Sequence, residues 1–256
     1  MKIVFFDIDG TLAERTHVPA SAAEAVRKLR DAGSLVFICT GRSHHYVKTH
    51  FGSYADGFIC HNGRFAIQGE DILYDHPVSF ERIQAISEII RDNGAAMVWY
   101  GRREGWYYGS EPEYDRLKQD EEAQRVHNGL SASMKAYSFN VHFPHRQILT
   151  DLEGILKDQC IFNPHGPLPH ADVTVMGYDK GSALKAISQA LKVEIEDTYA
   201  FGDGINDISM LQAAGHGIAM GNAAERLKEK AEYVTTGIHD DGIRNGLLHY
   251  GLISGE

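Results

Sequence analysis

The sequence predicts an α/β protein: a doubly wound parallel sheet whose chain is interrupted in its middle by a smaller α+β domain. Three observations predict it. Short apolar runs such as "IVFF" and "LVFIC" have no polar break, as expected of strands buried on both faces. Such runs alternate with segments whose apolar residues recur at helical spacing, and that alternation implies parallel crossovers. Across residues 81–177 the pattern changes to strands with a single apolar face, such as Tyr137, Phe139, Val141 and Phe143.

Ile3 to Phe6 reads as the first strand. In "PASAAEAVRKLRDAG", Pro19 and Ser21 signal a helix start, Ala22, Ala25, Val26 and Leu29 share one face, and Gly33 stops it. "SLVFICTGR" predicts a second buried strand, "SHHYVKTHF" a short helix, and "DGFICHNG" a third strand closing in an Asn-Gly turn. The helix "SFERIQAISEIIRDNG" opens the inserted region. "AAMVWYGRREGWYYG" follows as an aromatic hairpin with Arg102 and Arg103 at its exposed turn, and "AYSFNVHFP" and "ADVTVMG" predict further strands of an antiparallel sheet. Trp99, Tyr100, Trp106, Tyr107 and Tyr108 are expected to form that domain's own small core. Alternation then resumes: "KGSALKAISQALKV" as helix, "DTYAFGDG" as strand, "NDISMLQAAG" as helix and "HGIAMGNA" as strand. The expected organisation is a core of residues 1–80 and 178–256 and an inserted domain of residues 81–177, joined by hinges near His76–Ser79 and Gly177–Asp179.

Composition excludes several classes. With 256 residues, 43% hydrophobic and 23% charged, the chain is long enough to bury a full core. A formal net charge of −10 disfavours nucleic acid, whose binding needs clustered Lys and Arg. No apolar run approaches the roughly 20 residues of a membrane span, so no membrane partner is expected and the location should be cytoplasmic. Cys39, Cys60 and Cys160 lack metal-type spacing and should be buried thiols. The histidines at 44–45 and in "NPHGPLPH" (163–170) match no zinc spacing and read as loop or surface residues. No pattern in the chain sets an oligomeric state.

Ligands of open parallel sheets bind beyond the carboxyl ends of the strands. Three polar clusters fall there: Asp7 and Asp9 after the first strand, Thr40, Gly41 and Arg42 after the second, and Asp203, Asn206 and Asp207 in "GDGIND". Lys180 opens a helix and can reach the same edge. Carboxylates placed together at the end of a buried strand need a cation between them. Hard oxygen ligands suit Mg²⁺, held by Asp7 and Asp203 with the backbone carbonyl of Asp9. Asp7 in line with a phosphorus atom can act as a covalent nucleophile, and Asp9 can protonate the leaving alcohol and later deprotonate water. Thr40, the Gly41 amide, Lys180 and Asn206 would supply donors to phosphoryl oxygens. An EF-hand is excluded because Leu12 and Ala13 occupy ligand positions and a strand, not a helix, enters the loop.

The segments "FFDIDGTL", "FICTGR", "YDKGSAL" and "GDGINDISML…GIAMGNA" resemble, in order, the four motifs of the haloacid dehalogenase (HAD) superfamily of phosphohydrolases. The insertion between the second and third resembles the class-two, subtype-B cap of the Cof-type phosphatases. The resemblance implies a Rossmann-like HAD core with an α+β cap. It also implies a Mg²⁺-dependent phosphatase acting on small phosphomonoesters, such as sugar phosphates, through an aspartyl-phosphate. By it, Asp7 is nucleophile and metal ligand, Asp9 is acid/base and ligand through its backbone, Asp203 is a ligand and Asp207 supports the metal shell. Ile8 (backbone), Thr40, Gly41, Lys180 and Asn206 hold phosphate. The nearest rival is a sugar phosphomutase of the same superfamily. A dehalogenase is disfavoured because those enzymes lack a second Asp at the position of Asp9. A phospho-accepting receiver is disfavoured because its acceptor follows the third strand, and a ligand-binding non-enzyme is the remaining alternative.

Overall fold

The computed structural model describes residues 1–164 and 166–255; His165, within the histidine-containing stretch 163–170, lies outside the described residues. The chain opens with β1 (Ile3–Phe6), α1 (Ala20–Asp31), β2 (Leu35–Cys39), α2 (His44–Phe51), β3 (Gly57–Cys60), β4 (Phe65–Gln68) and β5 (Asp71–Asp75). It continues with α3 (Phe80–Asp92), β6 (Ala96–Tyr100), β7 (Glu104–Tyr108), α4 (Glu111–Leu117), β8 (Arg125–Asn128), β9 (Ser138–His142), α5 (Arg146–Ile155), β10 (Cys160–Pro164) and β11 (His170–Val175). It closes with α6 (Lys180–Ala190), β12 (Thr198–Gly202), α7 (Ile208–Ala213), β13 (His216–Ala219), α8 (Glu225–Lys228), β14 (Tyr233–Val234) and α9 (Gly242–His249).

Backbone packing separates two units, one of Met1–Thr40, His50–Asp75 and Tyr178–Glu256, the other of Gly41–Thr49 with His76–Gly177. The first is built on an eight-stranded sheet in the order β14-β13-β12-β1-β2-β3-β4-β5. β1 lies between β12 and β2, with Phe6 opposite Phe201 on one side and Ile38 on the other. Ile3, Val4, Phe5 and Phe6 are all fully buried, as a parallel strand covered on both faces requires. Ala22, Ala25, Val26 and Leu29 form the buried face of α1, in keeping with their spacing. The last two strands depart from the parallel expectation. β4 runs antiparallel to β3, and β5 antiparallel to β4. Only the tight turn His61–Gly63 and Arg64 separate β3 from β4, too little chain for a parallel crossover.

The second unit carries a six-stranded sheet in the order β10-β11-β9-β6-β7-β8. Its pairings are antiparallel except β7 with β8, which is parallel because the chain passes through α4 and a further turn before returning. Ile83, Ile86 and Ile90 of α3 and Leu149 and Leu152 of α5 pack with Trp99, Phe139, Val141 and Val173 on one sheet face. Tyr100 and Tyr107 pack on a second cluster with Leu117, Ala123 and Val126. The Trp99 indole N–H donates to Ser87 Oγ at 2.9 Å, so its burial leaves no donor unsatisfied. The hairpin aromatics thus build this unit's interior. Cys39, Cys60 and Cys160 are buried, and none of them forms a disulfide.

Candidate active site

The turn after β1 is shaped around its backbone. The Asp7 N–H donates to the Phe201 carbonyl at 3.0 Å, which continues the β1–β12 ladder by one residue and locks Asp7 at the sheet edge. The Ile8 carbonyl accepts from the Thr11 and Ala13 amides at 3.1 and 2.9 Å. Asp7 and the Ile8 side chain are buried, whereas Asp9 is exposed. Gly10 follows with φ +83°, and a Cβ there would stand 2.3 Å from Asp203 Oδ2. Both the left-handed backbone and the close approach demand glycine. Thr11 is fully buried and donates its hydroxyl to Asp203 Oδ1 at 3.1 Å. The Asn222 amide donates to the Gly10 carbonyl at 2.8 Å and accepts from the Ile238 N–H at 2.9 Å, tying the segment after β13 to the same turn.

Lys180 reaches this turn from the first position of α6. The helix starts there because Asp179 caps it: its carboxylate accepts from the Ser182 N–H at 2.7 Å while the Ser182 hydroxyl donates to the Asp179 carbonyl at 2.9 Å. The Lys180 ammonium then donates to Asp7 Oδ1 and to Asp207 Oδ1, both at 2.6 Å. The other Asp207 oxygen accepts from the Asp203 and Gly204 amides at 3.0 and 2.9 Å. Asp207 is therefore a strut, with one oxygen bracing the lysine and the other folding the turn that presents Asp203.

Asp7, Asp203 and Asp207 bring one carboxylate oxygen each within 4.8 Å of one another. Burial, and next the charge of Asp207, push the Asp7 carboxyl well above the usual carboxylate range, against the pull of Lys180. The same two causes push Asp203 up to about 6. Burial works against the Lys180 charge, but Asp207 and Asp7 outweigh it and hold that pKa above the ordinary lysine value. Three carboxylates against one ammonium leave two negative charges uncompensated, the charge a divalent cation supplies. Hard oxygen donors of this kind fit Mg²⁺ chemistry.

Of the sequence-derived residues, Asp7, Asp203, Asp207 and Lys180 are brought into direct mutual contact or near it. Thr40 is buried beyond β2; its N–H donates to the Ile59 carbonyl and its own carbonyl accepts from the Asn62 N–H, both at 2.9 Å. Asn206 is exposed and donates its amide to Asn62 Oδ1 at 3.4 Å. Gly41 begins the second packing unit. Arg64, legible in the sequence only as a charge beyond the Asn-Gly turn, is buried with its guanidinium 4.8 Å from the centre of the Tyr178 ring. Thr11 and Asn222 went unrecognised. Each sits in a quoted motif, and the available signal was a hydroxyl or amide side chain directly after a glycine in a turn.

A parallel-sheet enzyme core with an acid–lysine cluster at its carboxyl edge is the class these observations define. The chain belongs to the haloacid dehalogenase-like hydrolases, a family description that matches residues 4–247. It is 28% identical to the 5-amino-6-(5-phospho-D-ribitylamino)uracil phosphatase YwtE of Bacillus subtilis (strain 168) over 95% of this chain and 96% of that one. It is also 28% identical to the phosphoglycolate phosphatase of Archaeoglobus fulgidus over 98% of each chain. Among solved structures, the HAD subclass IIB sugar phosphatase BT4131 matches with a TM-score of 0.81 at 27% identity, covering 99% of this chain and 100% of that one. The chain is a phosphatase of this family, with the HAD-type core and inserted α+β domain of subclass IIB.

Proposed function

We propose that the protein is a Mg²⁺-dependent phosphatase that hydrolyses small phosphomonoesters, sugar phosphates among them, through a phospho-Asp7 intermediate. The observation that carries the reading is Asp7 itself, a buried carboxylate at the end of β1 with Oδ1 held by Lys180 at 2.6 Å. A carboxylate locked by a buried cation is presented in one orientation, and orientation is a large part of what an in-line displacement needs. The relatives support the substrate class: their names specify a ribitylaminouracil phosphate, phosphoglycolate and sugar phosphates, all small phosphomonoesters.

In the first half-reaction a carboxylate oxygen of Asp7 bonds to phosphorus as the phosphorus–alcohol oxygen bond breaks, and Asp9 gives its proton to the departing alkoxide. In the second, water attacks the same phosphorus, Asp9 takes the water proton, and the Asp7 carboxylate leaves. Asp9 suits this traffic because its exposed side chain can exchange protons with solvent, while Asp7 is sealed. Lys180, Thr40, Asn206, the Gly41 amide and the Ile8 backbone hold phosphoryl oxygens as negative charge redistributes among them. Asp7 and Asp203 would hold Mg²⁺ by their carboxylates and Asp9 by its carbonyl, with Asp207 bracing that shell. Bound there, the ion would neutralise the cluster and polarise a phosphoryl oxygen. The inserted domain, residues 81–177, would select the leaving group. Three buried cysteines outside any disulfide fit a reducing compartment, and we place the enzyme in the cytoplasm.

Phosphate release from a panel of metabolite phosphomonoesters, with Mg²⁺ and with chelator, tests the reading. Mg²⁺-dependent release and an acid-stable phosphoenzyme are expected. Isomerisation of a hexose 1-phosphate without free phosphate would reassign the protein as a mutase, and activity untouched by chelator would remove the metal.

A further inference from the structure

We infer that Glu122 is a positioning residue for the turn Thr40–Gly41, acting through Arg42 and Ser43. The inference rests on the phosphatase reading, in which that turn holds phosphate. Only four residues join Cys39, the end of β2, to His44, the start of α2. The near end of this turn is held by backbone bonds of Thr40 to Ile59 and Asn62, both at 2.9 Å. Glu122 holds the far end. Its carboxylate accepts from the Ser43 N–H at 2.7 Å through one oxygen and from Arg42 Nη1 at 3.1 Å through the other. The Ser43 hydroxyl donates to the Glu122 carbonyl at 2.6 Å and accepts from the Tyr46 N–H at 3.2 Å, so the same serine caps α2. Within its own packing unit, the segment that begins at Gly41 is thereby fixed by Glu122.

Glu122 is itself fixed. Its N–H donates to Asp120 Oδ1 at 2.9 Å, and Asp120 Oδ2 accepts from the hydroxyl of the buried Tyr100 at 2.7 Å. A continuous hydrogen-bonded path therefore runs from β6 through Asp120 and Glu122 to Ser43, all but the last residues of it within one segment of the inserted region. Glu122, Arg42 and Ser43 belong to the same packing unit. Stability alone does not account for the arrangement, because a buried carboxylate–guanidinium pair contributes little beyond what apolar packing would. What it supplies is geometry at the end of a short turn.

Arg42 and the Ser43 N–H face the carboxylate, with Arg42 5.0 Å from the Tyr46 ring; Asp120 holds the Glu122 backbone N–H and in turn accepts from the Tyr100 hydroxyl. Burial pushes the Glu122 carboxyl up to about 7, against the pull of Arg42 and the Ser43 amide. Above that pH it is ionised and grips Arg42; below it the grip weakens.

The test uses the full-length protein with inorganic phosphate as a competitive inhibitor of para-nitrophenyl phosphate hydrolysis, for wild type, Glu122→Ala and Glu122→Gln. Loss of a charged, buried hydrogen-bond acceptor should weaken phosphate inhibition in Glu122→Ala by roughly tenfold or more. Glu122→Gln keeps an acceptor for Ser43 and should fold with a smaller loss. Between about pH 8 and 6 the wild-type inhibition constant should worsen severalfold more than that of Glu122→Gln, the titration of phosphate being common to both. Unchanged constants in Glu122→Ala, or identical pH dependence in wild type and Glu122→Gln, would overturn the positioning role. A wild type that releases no phosphate from any ester would instead overturn the phosphatase reading on which the role depends.

Discussion

Lys180 and Asp7, 173 residues apart in the chain, meet at 2.6 Å through an ammonium group buried from solvent. The same nitrogen is 2.6 Å from Asp207. One cation thus couples the turn after β1 to the turn after β12, and the geometry of both depends on it.

Replacing Lys180 with Met should therefore destabilise as well as inactivate. Two buried carboxylates would lose the cation they share, a change that costs about 3–5 kcal/mol when one partner of a buried pair is removed. Protonation relieves part of that cost, so urea unfolding should show a smaller deficit near pH 5 than near pH 7. A variant as stable as wild type at both values would show that the contact is incidental.

Asp7→Asn is expected to separate activity from stability. The amide cannot attack phosphorus, so turnover should vanish. Removing a carboxylate that burial and Asp207 already disfavour should leave the metal-free protein as stable as wild type, or more so by about 1 kcal/mol. Retention of more than a few per cent of phosphate release would refute the nucleophile assignment.

Gly10→Ala should fail for two reasons at once. The residue sits at φ +83°, and its new methyl would lie 2.3 Å from Asp203 Oδ2. The backbone strain alone costs on the order of 1–2 kcal/mol, and the collision must push Asp203 out of the cluster. Isothermal titration should show weaker Mg²⁺ binding together with a lowered melting temperature. Intact metal affinity in a destabilised variant would show that Asp203 is not a ligand.

Divalent metal should stabilise the fold. At a hundredfold excess over Kd, ligand binding contributes about 2.7 kcal/mol, which a thermal melt detects. The gain should be largely lost in Asp203→Asn and restored to the baseline by chelator in wild type.

His142, in β9, supplies a pH dependence independent of the site. Burial first, then the charges of Arg116 and His170, lower its pKa from 6.5 to about 3. Between these values the unfolded chain binds a proton that the folded chain does not, so folding stability falls as pH falls through that window, by about 1.4 kcal/mol per unit. From pH 6.5 to 5 wild type should lose about 1.6 kcal/mol more than His142→Gln, the unfolded histidine being half protonated at the upper limit. Equal losses measured by urea titration would place the acid sensitivity elsewhere.

Much of the site was legible because its residues fall directly after strands whose apolar runs are unmistakable. Asp7, Asp203, Asp207 and Lys180 belong to that set. Thr11 and Asn222 were not, since a hydroxyl or amide in a turn has many ordinary uses and only its partner, Asp203 or the Gly10 carbonyl, distinguishes it. Glu122 was invisible for a stronger reason. It lies in a polar stretch without periodicity, and its meaning comes from Arg42 and Ser43 some eighty residues earlier. In the fold, β5, β8 and β10 escaped because short mixed runs at sheet edges carry little hydrophobic signal, and β4, one strand in from the edge, because four residues directly after a turn are too few for a pattern.

By itself the sequence determined which segments are strands of a covered sheet, which helix faces are buried and which carboxylates end strands, because these follow from contacts a few residues apart. Tertiary structure alone decided that β1 lies between β2 and β12, that β4 and β5 reverse direction, and that Lys180 stands between Asp7 and Asp207. Those facts depend on strand order, and strand order is set by long-range packing that no local pattern encodes.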